Sequence, residues 1–178
     1  MLRSILGFGL LSLSLASMIG CGQTSLQATV DASESASVDG TQYLLTEEPE
    51  GAVGVLIAKE DAKDQDEIVL LGRIGGQAEP FIKDRSAFMV IDPTIGMMSE
   101  EAVDESGEIC MDDCCASLRT ACSTLVKVVD ASGKPLEVDA RKLLKVKEND
   151  LVVVKGKVQR NDEAGTFTIA ANAVFVRQ

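Results

Sequence analysis

The most regular pattern in the chain lies near its end. In "LVVVKGKVQR", Val152, Val154, Gly156 and Val158 alternate with Val153, Lys155, Lys157 and Gln159. A period of two with one apolar and one polar side predicts a strand that is buried on one face and wet on the other. The same β-rich texture marks "EIVLLGRIGG", which ends at Gly75-Gly76, and "SAFMVIDP", which stops at Asp92-Pro93. "STLVKVVDASGKPLEV" predicts a strand, a turn over Asp130 to Lys134 and a short second strand. "TFTIAANAVFVRQ" predicts a last strand after a turn near Asn161 to Gly165. Two stretches read as helical. "PEGAVGVLIAKED" predicts a short helix that Pro49 and Glu50 suit as a start. "DARKLLKVKEND" predicts one helical turn capped by Asp139.

The predicted order is three strands, a short helix and two further strands. That is the order of a small OB-like five-stranded β-barrel, a mainly β fold with short helices. Gly72 in the first strand and Gly156 in the fourth supply the points at which so small a barrel must bend.

The beginning of the chain has a different pattern. Arg3 precedes an apolar run from Ile5 to Ile19 broken only by small residues, then Gly20 and Cys21. The run is short for a membrane span and reads as a signal peptide over residues 1–20. Met18-Ile19-Gly20-Cys21 resembles the bacterial lipobox, which implies lipidation at Cys21. Gly22 after the cysteine implies sorting to the outer membrane, facing the periplasm. Residues 21–46 are rich in Ser, Ala, Thr and Asp and read as a flexible tether. About 25 such residues span roughly 25–30 Å, enough to hold a domain clear of the headgroups. One domain is then expected over residues 47–178.

Composition narrows the function. The formal net charge is −11 over 178 residues, which excludes the cationic surface that nucleic acid requires and leaves membrane attachment to the lipid. There is no histidine, so histidine-based catalysis and imidazole-ligated metals are excluded. Tryptophan is absent and there is one tyrosine, which removes most stacking platforms. A basic strip of Arg73, Lys83, Arg85, Lys155 and Lys157 is a candidate ligand face, set against a charge-balanced solvated surface.

The candidate chemistry lies in a cysteine-rich insert over residues 94–122, between the second and third strands. A loop of this length is functional or cross-linked. It carries Cys110, Cys114, Cys115 and Cys122, and seven carboxylates: Glu100, Glu101, Asp104, Glu105, Glu108, Asp112 and Asp113. Four thiols in an oxidising compartment point to two disulfides, Cys110–Cys114 with Cys115–Cys122 or Cys110–Cys115 with Cys114–Cys122. Bonding the neighbours Cys114 and Cys115 makes a strained ring. Each plausible loop contributes on the order of 2–3 kcal/mol. The alternative is a thiolate site for Zn or Cu(I), with Asp112 and Asp113 as accessory ligands and Met97, Met98 and Met111 as further donors. The C-x3-C-C-x6-C spacing is not that of a zinc knuckle. On one helix Cys110 and Cys114 share a face, with Cys115 about 100° from Cys114. Redox exchange is a third reading, disfavoured by the negative field and the lack of C-x-x-C.

"GRIGGQAEPFIKDRSAFMVIDP" together with "VKVVDASGKPLEVDARKLLKVKENDLVVVKGKVQRNDEAGTFTIAANAVFVR" resembles the uncharacterised exported OB-type lipoproteins of planctomycete-like bacteria, over roughly residues 47 to 178. The resemblance implies fold and location and carries no assigned activity. The chain also resembles two other periplasmic OB groups, the haem-carrying cytochrome-maturation chaperone and the small stress-induced OB proteins. The first needs a histidine that this chain lacks, so its activity does not carry over. The expectation is therefore a non-enzymatic binding or structural module of the envelope, without a cofactor and with a periplasmic protein as partner. Thiolate metal binding is the alternative.

Overall fold

The computed structural model describes residues 39–98, 103 and 109–177. The expected signal peptide, the expected lipidation site Cys21, most of the expected tether, and the insert carboxylates Glu100, Glu101, Asp104, Glu105 and Glu108 lie outside the described residues.

Five strands close on themselves: β2 (Glu67–Ile74), β3 (Ala87–Ile91), β4 (Ser123–Val128), β5 (Leu151–Asn161) and β6 (Thr166–Val176). Around the barrel the order is β2-β3-β4-β6-β5, and β2 pairs again with β5 to complete the ring. All neighbours are antiparallel except β4 and β6, which run parallel. A two-residue strand, β1 (Val53–Gly54), adds in parallel to β2. The expected OB-like barrel is thus formed, with the helical turn α4 (Ala140–Leu144) between the third and fourth barrel strands.

The two-residue period explains the barrel interior. Leu70 and Ile74 of β2, Phe88 and Val90 of β3, Val126 and Val128 of β4, and Val152, Val154 and Val158 of β5 are all buried in one cluster. Leu143 and Leu144 of α4 and Tyr43 join it. Asp139 caps α4, its carboxylate accepting from the Arg141 amide at 2.9 Å. The glycines act where the barrel bends. A Cβ on Gly156 would lie 2.4 Å from the Ala170 carbonyl oxygen, at the point where the β5–β6 register slips. One on Gly72 would lie 2.7 Å from the Val90 Cβ.

Four local expectations are refined. Helix α1 runs over Val55–Asp61 and starts five residues after Glu50, because Gly51 adopts a positive φ of 79° and β1 intervenes. The second strand after the Asp130 turn is a single bridge between Val129 and Pro135. Val153 is buried together with its neighbours, so the wet face of β5 begins at Lys155. The segment Gly40–Leu45, the end of the expected tether, packs on the barrel: the Leu45 amide donates to the Val174 carbonyl at 2.9 Å and Tyr43 is buried.

A second, smaller core sits outside the barrel at the end of β3. Ile91, Ile95 and Cys122 are buried together, with Leu56, Ile109 and Leu118 packed against them. Beside it the buried Asp92 carboxylate accepts from the Leu56 amide at 3.1 Å, the Thr94 amide at 3.0 Å and the Thr94 hydroxyl at 2.7 Å. One side chain thereby satisfies the first turn of α1 and the turn that begins the insert. Asp92→Ala leaves both amides without an acceptor and is expected to cost about 2–4 kcal/mol, on the order of 5–15 °C in Tm. Thermal unfolding of the full chain checks this. Asp92→Asn, which keeps one acceptor oxygen, should lose about half as much.

Candidate functional site

The insert begins with a short helix, α2 (Ile95–Met98), and a bridge joins Val103 to Ile109. The chain then runs extended through Cys110 and Met111 into a 3-10 turn over Asp113–Cys115, followed by α3 (Ala116–Cys122), which leads directly into β4. The turn places Cys114 and Cys115 side by side, and the extended chain brings Cys110 back over them.

Three of the four cysteines meet. The sulfurs of Cys110, Cys114 and Cys115 all lie within 4.8 Å of one another. Cys110 and Cys115 are closest at 2.6 Å, and Cys114 is 3.6 Å from Cys115. Cys114 is exposed, Cys110 half-buried and Cys115 buried. Cys122 stands apart, buried in the small core against Ile91 and Ile95. One helix does not carry these cysteines: Cys110 precedes the 3-10 turn and the helix, so helical spacing does not govern which sulfurs meet. Asp112 and Asp113 are exposed, and among the described residues the cluster of candidate ligand atoms consists of the three sulfurs. Met97 is nine-tenths exposed at the other end of the insert.

The environment favours thiol over thiolate at two of these positions. The contact with Cys110 pushes the Cys115 thiol up to about 12, with burial and Cys114 acting the same way. Burial raises the Cys122 thiol, the Asp92 charge adds to this, and Lys59 opposes it. Burial in turn lowers the Lys59 ammonium from its ordinary value.

Cations hold the insert in place through backbone carbonyls. Arg119 Nη1 donates to the Cys110 carbonyl at 2.7 Å and the Asp112 carbonyl at 2.9 Å, fixing the loop that carries the sulfurs. Lys59 Nζ, from α1, donates to the Thr120 and Ala121 carbonyls at 3.1 and 2.8 Å, satisfying the end of α3. Arg119 was visible in the sequence as the insert's sole basic residue; Lys59 carried no signal, since its partners lie some sixty residues away.

The residues of the expected basic strip come from two parts of the barrel. Arg73, Lys155 and Lys157 share the outer side of the β2–β5 pair, where Lys157 stands opposite Glu67. Arg73 donates to the Asn149 carbonyl at 3.2 Å. Arg85 sits in the β2–β3 connection, paired with Glu137 at 3.0 Å. A groove of about 790 Å³ opens elsewhere, over the outer side of β3, β4 and β6, and the insert forms one of its walls.

No known family model matches the chain, and no curated protein is significantly similar to it. What the site can do therefore rests on its own geometry. Two thiols in contact can be joined by oxidation with little movement. Three convergent sulfurs can hold a soft metal ion, with Cys110 and Cys115 moving apart to the roughly 3.8 Å that metal–sulfur bonds of about 2.3 Å impose.

Two outcomes follow for the reduced, metal-free chain. Alkylation at neutral pH should modify Cys114 first, and Cys122 only as the protein unfolds; peptide mass mapping over time reads the order. The second concerns pH. The fold keeps the Cys115 and Cys122 protons where the unfolded chain has lost them, so folding takes up protons above the ordinary thiol value of 9.0. Stability is whole below about pH 9 and falls as pH rises toward about 12. Urea midpoints measured across that window should decline, and decline less steeply in Cys115→Ala.

Proposed function

We propose that this chain is a non-enzymatic, lipid-anchored protein of the bacterial envelope, a binding module whose insert is held in shape by a Cys110–Cys115 disulfide. The observation that carries the reading is the 2.6 Å contact between those two sulfurs at the mouth of a loop clamped by Arg119. In forming the bond, two thiols give up two protons and two electrons to a disulfide oxidant of the kind an oxidising compartment supplies. Location rests on the lipobox-like Met18-Ile19-Gly20-Cys21. The OB barrel agrees with what the resemblance to exported planctomycete-type OB lipoproteins implies. Of the two pairing schemes open in the sequence, this contact favours the one containing Cys110–Cys115. The Cys114–Cys122 bond that completes that scheme has no comparable support, since Cys122 belongs to the small core.

A second reading is favoured by Cys114. A third sulfur 3.6 Å from Cys115 is superfluous to a staple and useful to a soft cation such as Cu(I) or Zn. Because thiolate ligation must displace the proton that Cys115 retains, metal affinity would rise with pH.

Mass spectrometry of the exported chain, purified without chelator, separates the two. The staple predicts a denatured mass about two hydrogens below that of the reduced chain, a cross-linked peptide joining Cys110 to Cys115, and alkylatable Cys114 and Cys122. A native mass carrying a metal, lost on unfolding to leave four alkylatable thiols, selects the second reading and sinks the first. For location, Cys21→Ser should move the protein from the membrane fraction to the soluble periplasmic fraction; an unchanged membrane fraction removes the lipid anchor.

A further inference from the structure

The groove over β3, β4 and β6 is unusual for so acidic a chain. Its floor carries Met89 and Leu125, half-buried cross-strand partners on the outer side of β3 and β4. Among the described residues three cations line it, Lys59, Arg119 and Arg160, against one carboxylate, Asp162. The chain as a whole carries −11. Positive charge is thus gathered where the surface is also apolar.

The cations are fixed and retain donors. Arg119 spends Nη1 on the two insert carbonyls, and its Nε and Nη2 groups make no hydrogen bond among the described residues. Arg160 spends Nη1 on the Lys59 and Ala62 carbonyls at 2.7 and 3.0 Å and Nε on Asp162 at 2.6 Å, which leaves Nη2. Carbonyl oxygens orient Lys59 and Arg119 without neutralising them. A guanidinium held in place with its remaining N–H groups toward a cleft is a preorganised oxyanion receptor.

An independent observation comes from Ser123. Its hydroxyl is buried in the groove wall, with the residue 7% exposed, and it is the buried side-chain polar atom without a hydrogen-bond partner among the described residues. An unpaired buried hydroxyl is costly and calls for an explanation such as a bound group.

We propose that this groove binds a small amphipathic organic anion, with its apolar body on Met89 and Leu125 and its oxyanion at Arg119 and Lys59, within reach of the Ser123 hydroxyl. The volume is that of a small-molecule site. A polyanion such as nucleic acid does not fit, because the net charge of the chain repels it beyond the groove. The proposal deepens the binding-module reading and rests on it for the placement of the insert wall.

The test uses the oxidised, full-length Cys21→Ser chain, which needs no detergent, and two probes: 8-anilinonaphthalene-1-sulfonate and its uncharged analogue N-phenyl-1-naphthylamine. Calorimetric titration should show one sulfonate per chain, bound at least tenfold more tightly than the amine and weakened by salt. Arg119→Gln should weaken the sulfonate at least tenfold and the amine at least threefold less than that. Leu125→Glu, at a half-buried outward strand position that makes none of the insert's clamping hydrogen bonds, should abolish both while the melting temperature holds. Equal affinity for the two probes, or sulfonate binding indifferent to both substitutions, overturns the proposal and leaves the cations as clamps of the insert. No sulfonate binding with an intact Cys110–Cys115 link removes this site and keeps the stapled module. Saturable binding without the link removes the staple and keeps the site.

Discussion

The pairing of β2 with β5 closes the barrel, and most of the molecule follows from that closure. Seven residue pairs, from Glu67 with Lys157 to Arg73 with Leu151, join these strands. A ring of five strands is narrow, so its interior is filled by side chains, the valines of β4 and β5 together with Leu70, Ile74 and Phe88. Closure also removes the long sheet edges that would otherwise invite pairing with another chain. Because the inside is filled, anything the protein binds must be held on the outer surface or by the loops.

That constraint explains how the insert is mounted. It cannot enter the barrel, so it brings its own small core, in which Ile95, Ile109 and Leu118 gather on Ile91 from the outer side of β3. Cys122 is part of that packing. Polar contacts then orient what the small core holds. Asp92 ties the start of α1 to the root of the insert, Lys59 returns from α1 to the end of α3, and Arg119 closes the loop over the sulfurs. Each of these side chains answers backbone groups that helix ends and a turn leave unpaired, and Arg119 does so at the loop where the three sulfurs meet.

The barrel was legible in the sequence because its signals are local. Alternation in "VVVKGKVQ", the stop at Asp92-Pro93 and the cap at Asp139 each act within a few residues. The site was legible only in part. The cysteines declared themselves by density, but their grouping depends on where a helix starts. The extended approach of Cys110 and the 3-10 turn at Asp113 put Cys115 into the cluster and leave Cys122 to the core. The basic strip has a related feature that its sequence did not mark: Arg85 lies in a connection, and its partner Glu137 is fifty-two residues further along the chain. Lys59, Arg119 and Arg160 come from α1, α3 and the end of β5, and no periodicity within any of those segments marks them as neighbours.

The same cations connect the two features of the protein that carry chemistry. Arg119 holds the loop of Cys110 with one nitrogen, and the same residue lines the groove. The state of the sulfurs and the shape of the groove wall are therefore mechanically linked through a single guanidinium. Opening the Cys110–Cys115 contact to the spacing a metal requires would move the Cys110 carbonyl that Arg119 grips, and so move the cation that the groove presents. In an acidic protein the net field disfavours any anion near the surface, so recognition depends on cations held at short range. Backbone carbonyls suit this task better than carboxylates: they fix the direction of the charge without cancelling it.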